Sequence, residues 1–267
     1  MKSKKLKKWT TLLTCATALT VMTACSQSSS QSTGTTSSTT SKTSAVTATT
    51  SKKTNKNNSN YFTSKDSDTS YNESSATKIK LSGSSADVSG DGAALSGSTV
   101  TISKAGTYVI SGKSDGVQIK VDAGDSDDVH IVLDGATMTN TNAAINATKA
   151  GHVYLTLKDG TTNTLSDSSS NSDEDADAVI FSKGDLTING SGTLNIDAKK
   201  NNGIKANDNL HMTGGTYKIS SVGDAFNVND ELNITGTTMT IKAGDDGIHA
   251  SGDMIIDSGT YKIEKSN

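Results

Sequence analysis

AVIFSKGDLTINGSGTLNID at residues 178–197 is followed by three further versions of one pattern: NGIKANDNLHMTGGTYKISS at 202–221, DAFNVNDELNITGTTMTIKA at 224–243 and DGIHASGDMIIDSGTYKIEK at 246–265. The four segments align almost without gaps, and they begin 24, 22 and 22 residues apart. A period of this length is typical of solenoid proteins. We therefore expect any binding surface to arise from stacked, equivalent positions.

Each repeat contains three pairs of mainly apolar residues spaced i, i+2, so both members of a pair point to one face of a strand. Leu186 with Ile188 and Leu194 with Ile196 are two such pairs. Three short strands in a repeat of about 22 residues predict an all-β fold, a parallel β-helix. We expect it to be right-handed, as parallel crossovers almost always are. A propeller is excluded because each blade needs roughly 40 residues.

The charge is divided unevenly along the chain. Net charge is −3 and the pI is near 5.8, but residues 1–77 carry ten lysines and three acidic residues, whereas residues 78–267 carry fifteen lysines and twenty-five acidic residues. The repeat region offers no basic stripe for phosphates, so nucleic acid is not expected as a partner. An acidic ligand remains compatible if a divalent cation lies between ligand and protein.

The first 25 residues have the layout of an export signal. Lysines between Lys2 and Lys8 precede an apolar run at 12–21, and MTAC follows at 22–25. This tetrapeptide resembles a bacterial lipobox, which predicts cleavage before Cys25 and lipid attachment to it. An ordinary cleaved signal peptide is the alternative. We expect an exported protein, anchored to the cell membrane by lipid alone and exposed on the cell surface.

Residues 26–77 consist almost entirely of Ser, Thr, Asn, Lys and Gln, which do not bury enough apolar surface to fold. We expect a disordered stalk there, and we interpret its aromatic residues Tyr61, Phe62 and Tyr71 as incidental. Short alternating apolar segments then predict strands. The folded domain is therefore assigned to residues 78–267, and we expect it to be a monomer.

Polar residues also stack into columns, at about 4.8 Å if successive coils pair like neighbouring strands. Asn202, Asp224 and Asp246 lie at 22-residue steps just before the first strand of a repeat, and Asp177 and Asp245 belong to the adjacent column. Stacked carboxylates repel one another, and calcium, which takes six to eight oxygen ligands, would relieve that repulsion. These five residues are the predicted calcium ligands. The alternative is that they only form turns and Asx hydrogen bonds.

Lys205, Asn227 and His249 are predicted to point outward from the first strand of successive repeats, beside the acidic column. An extended polysaccharide could lie along this row, with Lys205 pairing a uronate carboxylate and the other two hydrogen-bonding sugar hydroxyls. An ordinary solvent-facing row is the alternative. The sequence contains no GxSxG, HExxH or Walker motif, so the evidence for catalysis is thin.

Several phrases resemble one family of exported bacterial proteins. AGTYVISG at 105–112 and GDDGIHA at 244–250, taken together, look like the carbohydrate-binding-domain family of parallel β-helix proteins, and the resemblance extends over residues 78–265. The founding member of that family is known as a calcium-containing binder of acidic plant-wall polysaccharide, similar in shape to pectate lyases. The resemblance implies the same fold, cation and ligand class for this chain.

Matched residue by residue, the calcium-associated turn acids of the family correspond to Asp224, Asp245 and Asp246. The second repeat has asparagine at 201–202 where the family often has aspartate, so a site there is expected to be weaker or absent. Family members usually continue past GTYKI into a further coil, whereas this chain stops at residue 267. We therefore expect an exposed edge on the last set of strands, as in a truncated or shortened member.

The leading hypothesis is a non-catalytic, surface-anchored module that binds polygalacturonate-like polysaccharide with calcium. The first alternative is a calcium-dependent polysaccharide lyase, in which the cation acidifies the proton next to the uronate carboxylate and Lys205 abstracts it. The second alternative is a cell-surface adhesion protein or structural spacer without sugar specificity. The sequence leaves open whether the chain is an enzyme, and it favours a binder.

Overall fold

The computed structural model describes residues 46–50 and 61–265. The predicted leader with its lipidation site Cys25, and more than half of the predicted stalk, lie outside the described residues. Helix in the described part is limited to one 3-10 turn at Ser64–Ser67. No helix there is long and apolar enough to cross a membrane.

The described part is built from β-strands. In chain order they are β1 Val46–Thr50, β2 Thr77–Gly83, β3 Ser85–Ser89, β4 Ala93–Ser96, β5 Thr99–Ile102, β6 Gly106–Asp115, β7 Gln118–Asp122, β8 Asp128–Thr139, β9 Ile145–Lys149, β10 His152–Leu157, β11 Thr162–Ser166, β12 Ala178–Ser182, β13 Leu186–Gly190, β14 Thr193–Ala198, β15 Asn202–Ala206, β16 Leu210–Thr213, β17 Thr216–Ser221, β18 Phe226–Val228, β19 Leu232–Thr235, β20 Thr237–Ala243, β21 His249–Ala250, β22 Met254–Ile256 and β23 Gly259–Lys265.

The strands form the three faces of a solenoid of about seven turns. The first face consists of β4, β5, β7, β9, β12, β15, β18 and β21. The middle face consists of β10, β13, β16, β19 and β22 beside the N-terminal half of β8. The third face consists of β11, β14, β17, β20 and β23 beside the C-terminal half of β8. The long strand β8 therefore belongs to two faces and joins them into one hydrogen-bonded sheet.

Equivalent positions of the repeats stack one above another. On the middle face Leu186 pairs with Leu210, and Leu210 with Leu232, in parallel register. On the third face Ile196 pairs with Ile219 in the same way. All five side chains are at most 3% exposed, and they belong to one apolar core that runs through the turns. The predicted parallel β-helix is confirmed.

The turns differ in length. The average turn has about 24 residues, more than the 22 of the last repeats, because earlier turns are longer. Ile145 of β9 pairs with Ile180 of β12, 35 residues later, across the polar insertion at 166–177. Ala176 of that insertion packs on Phe181. The insertion therefore covers the outer side of the first face at β12.

The C-terminal edge of the solenoid differs from the prediction. β1 pairs antiparallel with β23, from Val46 opposite Ile263 to Thr50 opposite Gly259. Such a partner satisfies peptide groups that an end strand would otherwise leave unpaired. The predicted exposed edge is therefore wrong for β23, whereas β21 and β22 lie at the ends of their sheets within the described residues. The partner strand comes from the segment that composition assigned to the stalk.

The boundary predicted at residue 77 also differs from the structure. Residues 61–76, assigned by composition to the disordered stalk, lie across the outer side of the middle face and are hydrogen-bonded to it. Asp66 in this segment is only 2% exposed. A segment held by a few buried polar groups gives no compositional signal of order, which explains the difference.

Candidate cation and ligand site

The polar column at the corner before the first face forms a ladder of hydrogen bonds. The Asp224 amide N–H donates to Asn202 Oδ1 at 3.1 Å, and the Asp246 amide N–H donates to Asp224 Oδ1 at 2.9 Å. Each side chain therefore satisfies a backbone donor of the next turn, which is the Asx role weighed as the alternative to metal binding. The ladder stacks these three residues and uses one side-chain oxygen each of Asn202 and Asp224. A cation would be bound by the carboxylate oxygens that remain.

Three carboxylates converge at the last two turns of this corner. One oxygen each from Asp224, Asp245 and Asp246 lies within 4.8 Å of the other two. Asp224 is buried, and the other two are exposed. Within residues 61–265, no lysine forms an ion pair with any of the three. We call this group the three-acid cluster; its nearest basic group is His249, whose Nδ1 is 3.6 Å from Asp246 Oδ2.

The buried member of the cluster is held in a fixed orientation. Asp224 Oδ1 accepts the Asp246 amide N–H, and Oδ2 accepts the Asn227 side-chain amide at 2.6 Å. Each carboxylate oxygen retains a second lone pair after one hydrogen bond. These contacts therefore orient the carboxylate while leaving it able to coordinate a cation.

Asp177 lies apart from the cluster and is already compensated. Its Oδ1 accepts Lys205 Nζ at 2.7 Å, and its Oδ2 accepts the side-chain amides of Asn201 at 2.5 Å and Asn202 at 3.5 Å. Lys205 of the second repeat, with the side-chain amides of Asn201 and Asn202, therefore surrounds Asp177. Of the predicted ligands, Asp177 is separated from the cluster, whereas Asn202 touches it through the ladder.

Gly223 interrupts the column that contains Asp177 and Asp245. A Cβ at this position would lie 2.2 Å from Asn201 Oδ1 and 3.1 Å from Asn202 Oδ1. A side chain there would push aside the amides that hold Asp177. The acids of this corner therefore concentrate at the last two turns instead of continuing through every repeat.

The predicted outward row is present on the first face, but its members differ in accessibility. Lys205 lies opposite Asn227, and Asn227 opposite His249, on adjacent strands. The Lys205 side chain is 19% exposed, whereas that of His249 is 42% exposed. Phe181, one turn before Lys205, is buried under the insertion. The partly buried Asn227 and the more exposed His249 lie beside the three-acid cluster.

The contacts of Lys205 bear on its predicted alternative role as a base. Proton abstraction requires an amine with a free lone pair. Lys205 Nζ donates to Asp177 Oδ1 at 2.7 Å and to the Asp175 carbonyl at 3.3 Å. Both contacts use N–H groups of the ammonium, and one supplies an opposite charge. The geometry holds Lys205 as an ion-pair partner.

The corner before the middle face repeats the ladder without the cluster. The Asn209 amide N–H donates to Asp185 Oδ1 at 3.2 Å, and the Glu231 amide N–H donates to Asn209 Oδ1 at 3.1 Å. Asp253 continues this column in the last turn and is exposed. Stacked Asx and Glx residues therefore form at both corners, and only the first corner brings three carboxylates together within the described residues.

Sequence reasoning missed a set of polar side chains on the outer side of the middle face. We call it the middle-face groove, and it comprises His130, Tyr154, Thr156, Thr187, Asn189, His211, Thr213 and Asn233. Several of these side chains are fully buried because residues 61–76 lie over them. A signal was present, since Thr63 and Asp66 have the spacing that opens a helical turn and aromatic residues flank them.

Comparisons with known proteins agree with this architecture. A sequence profile of one family, described as "Carbohydrate-binding domain-containing protein", matches residues 96–267. A curated protein with the same description from Acetivibrio thermocellus is 36% identical over 137 residues. That alignment covers 49% of this chain and 48% of the other, so the chain spans about half the length of this relative.

One solved structure is similar over most of the solenoid. It is described as the polysaccharide lyase-like protein from C. thermocellum, in a gadolinium derivative. The sequences are 28% identical and the TM-score is 0.57. The superposition covers 72% of this chain and 95% of the other.

Proposed function

This chain belongs to the family of carbohydrate-binding domain-containing proteins, and on that basis we propose that it binds acidic, uronate-containing polysaccharide through calcium without cleaving it. The observation that carries the proposal is the three-acid cluster beside Asn227 and His249. A polysaccharide partner follows from the family. Calcium dependence and the preference for uronates are inferred from the chemistry of the cluster.

The cluster has the dimensions and the chemistry of a calcium site. Calcium binds oxygen at about 2.3–2.6 Å, so ligands of one ion lie at most about 5 Å apart. The carboxylates of Asp224, Asp245 and Asp246 meet that condition at 4.8 Å. Three side chains leave further positions of the six to eight for carbonyls, water and ligand. Calcium held there would supply the positive charge that a uronate carboxylate needs on this acidic domain.

The neighbouring side chains are suited to the sugar. Asn227 uses its Nδ2 to orient Asp224, so its Oδ1 remains as an acceptor for a sugar hydroxyl. The half-exposed His249 offers its ring at the next turn. The buried Phe181 and the polar insertion close the row at its other end. The contact surface is therefore confined to the last turns, where the acids are.

Binding is favoured over cleavage because the predicted base is engaged elsewhere. Lys205 is paired with Asp177, and it lies on the second repeat, whereas the three acids lie on the third and fourth. The similar solved structure is described as polysaccharide lyase-like. Cleavage is therefore an outcome that the experiment must be able to detect.

The proposed place of action is the cell surface, with a lipid on Cys25 as the anchor. The support is the leader sequence, with its lysine-rich start and the MTAC phrase at 22–25. Metabolic labelling with a fatty acid should mark the parent protein, and Cys25→Ser should abolish the label and release the protein from membranes. Labelling that persists in Cys25→Ser would refute the anchor.

Retention on immobilised polygalacturonate tests the calcium and the ligand together. The parent protein should be retained with calcium and should elute with EDTA. The double substitution Asp245→Asn/Asp246→Asn should abolish retention. Asp253→Asn is the matched control, because it removes an exposed acid of the same turn at the corner without a cluster, and it should bind like the parent.

Two other results would replace the proposal. Release of unsaturated uronides that absorb in the ultraviolet, lost in Lys205→Ala, would make the protein a lyase. Lack of retention on acidic and on neutral glycans, with calcium present, would favour the spacer. Retention that is insensitive to both EDTA and the double substitution would contradict the calcium site while leaving glycan binding in place.

A further inference from the structure

Residues 61–76 lie across the middle-face groove, and we call this segment the strap. The strap begins over β19, where Asn233 Nδ2 donates to the Tyr61 carbonyl at 3.4 Å. It ends near β8, where the rings of Tyr71 and His130 meet edge-on at 6.0 Å. Between these points it crosses β16, β13 and β10. A linear polymer that crossed successive turns of the solenoid would take the same path.

Asp66 is the most buried charged group of the strap, with a side chain that is 3% exposed. Its Oδ1 accepts Thr187 Oγ1 at 2.7 Å and lies 3.2 Å from His211 Nδ1. Its Oδ2 accepts the amide and hydroxyl of Thr63 at 2.7 and 2.9 Å. Burial alone raises the pKa of this carboxyl, but the hydrogen bonds from Thr63 and Thr187 bring it below its ordinary value. The groove therefore holds a carboxylate.

The groove also binds carbonyl oxygens of the strap. Asn189 Nδ2 donates to the carbonyls of Asp66 and Asp68 at 3.2 and 3.1 Å, and Thr213 Oγ1 donates to the Asp66 carbonyl at 2.7 Å. Within the described residues, every hydrogen bond between the groove and the strap backbone runs from a groove donor to a strap oxygen. No strap peptide N–H in this part of the chain donates to the groove. The groove therefore contacts the strap backbone through carbonyl oxygens and offers the strap N–H groups no acceptor within the described residues.

The donors are aligned by contacts that lie inside the groove. Thr156 Oγ1 donates to Asn189 Oδ1 at 2.6 Å, which directs the Asn189 amide N–H groups toward the strap. His130 Nε2 lies 2.7 Å from the same hydroxyl, and His152 Nε2 lies 2.9 Å from Thr187 Oγ1. Because each hydroxyl proton is donated onward, each histidine donates from Nε2. The donor array therefore depends on neighbouring side chains of the solenoid.

Aromatic rings lie beside these donors. His152 and Tyr154 stack at 4.1 Å, and Lys65 of the strap lies 4.8 Å from the centre of the Tyr154 ring while pairing with Asp128. Phe62 meets His211 edge-on at 5.8 Å. Flat rings next to hydrogen-bond donors suit the mixed apolar and polar surface of a sugar ring.

We propose that the middle-face groove is a second binding site for acidic oligosaccharide and that the strap is its intramolecular competitor. A uronate carboxylate takes the place of the Asp66 carboxylate, and hydroxyl or ring oxygens take the places of the Asp66 and Asp68 carbonyls. The site goes beyond the calcium-mediated binding proposed above. It lies on another face, it uses donors in place of acids, and its binding is independent of calcium.

A glycan fits this groove better than a second peptide does. A peptide presents one N–H for each carbonyl, and the groove supplies no acceptor to the strap N–H groups within the described residues. A uronate chain presents carboxylates and many oxygens without that demand. Carboxylate acceptors also form the stronger, charge-assisted hydrogen bonds. The groove therefore selects for a polyoxygenated acid.

Asp66→Asn in the full chain tests the competition, with Asp68→Asn as the matched control. Both remove one acid from the strap, but the Asp68 side chain bonds only to Ser70 within the strap. Asp66→Asn replaces one carboxylate oxygen by an NH2 group, so an acceptor that Thr63 or Thr187 uses is lost. Trypsin cleavage after Lys65, read by mass spectrometry, reports release of the strap. Titration calorimetry with a galacturonate octamer in EDTA reports the groove.

We expect Asp66→Asn to increase cleavage after Lys65 and to tighten octamer binding about tenfold, since the competitor is weakened. Asp68→Asn should leave both unchanged. Adding Thr187→Val to Asp66→Asn should return binding to the parent value, because a groove donor is lost. The gain should persist in the Asp245→Asn/Asp246→Asn background, which separates this site from the calcium site.

The proposal fails if the strap is released and the octamer still binds as in the parent. It also fails if a synthetic peptide of residues 61–76 binds the released protein and the octamer does not. Phe62→Ala/Asp66→Ala removes a ring contact as well as the carboxylate. If neither variant exposes Lys65 to trypsin, the strap is a permanent part of the fold and the competition is refuted.

Discussion

The three-acid cluster and the middle-face groove come from the same repeats and have opposite chemistry. At the corner, Asp224, Asp245 and Asp246 approach one another without a lysine partner in the described residues. In the groove, the Thr187 hydroxyl donates to the Asp66 carboxylate, and the His211 ring lies beside the same carboxylate. The middle-face groove is occupied by an acidic residue of the same chain, whereas two of the three acids at the corner are exposed.

The difference shows how stacking amplifies whatever a column contains. One exposed aspartate is an ordinary turn residue, but three with oxygens within 4.8 Å of one another form the cluster at which we propose a cation. One threonine on a strand is equally ordinary, but Thr187 and Thr213 with Asn189 form an array of donors to the strap.

Removal of the strap carboxylate should be the most damaging change. Asp66→Ala leaves the Thr187 hydroxyl without its acceptor and the His211 ring without the carboxylate beside it. It should lower the free energy of unfolding by about 2–4 kcal/mol. Urea unfolding of the full chain measures the loss. Asp68→Ala, on the same strap, should stay within about 0.5 kcal/mol of the parent. Equal losses in the two variants would show that the strap is held by its backbone.

The solenoid could be predicted from the sequence, and the strap could not. The apolar columns are a repeated signal, and the register of Leu186, Leu210 and Leu232 follows from it directly. The strap is held by contacts such as Asp66 with Thr187, which are separated by 121 residues. No local pattern encodes such a pairing. Composition correctly identified the segment as polar. Its polar groups are buried against polar side chains of the middle face.

Loss of the Lys205–Asp177 ion pair at the corner should have a moderate effect on stability. Lys205→Met leaves Asp177 with the two asparagine amides alone, and both side chains of the pair are about four-fifths buried. The free energy of unfolding should fall by about 1–2 kcal/mol, between values for exposed and buried pairs. Lys218→Met, an exposed lysine on the third face, is the control. A change below that of the control would mean that the pair contributes nothing.

Relief of repulsion in the three-acid cluster should have the opposite sign. In EDTA, Asp245→Asn should raise the free energy of unfolding by about 0.5–1 kcal/mol, because it removes one of three carboxylates near 4.8 Å. With saturating calcium the same variant should be less stable than the parent, since it loses ion binding. Asp253→Asn should show no such reversal. A variant that is destabilised equally in both buffers would mean that the corner is an Asx ladder only.

The corner shows where prediction of a site from columns reaches its limit. The 22-residue spacing located Asp224 and Asp246 in one ladder, and the structure stacks them. It could not show that Asp177 faces Lys205, because outward direction alone does not tell which neighbour a long side chain reaches. Nor could it show that Gly223 is required by the Asn201 amide. Such details depend on side-chain packing between turns.

The smallest expected effect is a pH dependence of stability in the region of the strap. Burial lowers the pKa values of His130, in the groove, and of His152, beside it. The unfolded chain then binds protons more readily than the folded one, so stability is complete above the unfolded value of about 6.5 and falls as pH drops below it. The charged and titratable groups facing these rings are Lys65, Asp66, Asp68, Tyr71, Asp128, Tyr154, Asp185 and His211. The protection factors of the amides in residues 61–71, which are corrected for the intrinsic pH dependence of exchange, should therefore fall between pH 7.5 and 5.5. The His130→Gln/His152→Gln variant should lose most of that dependence. The Asp66 carboxyl, whose pKa is lowered, contributes only at more acid pH. A dependence that survives unchanged in the double variant would place the titrating group outside the groove.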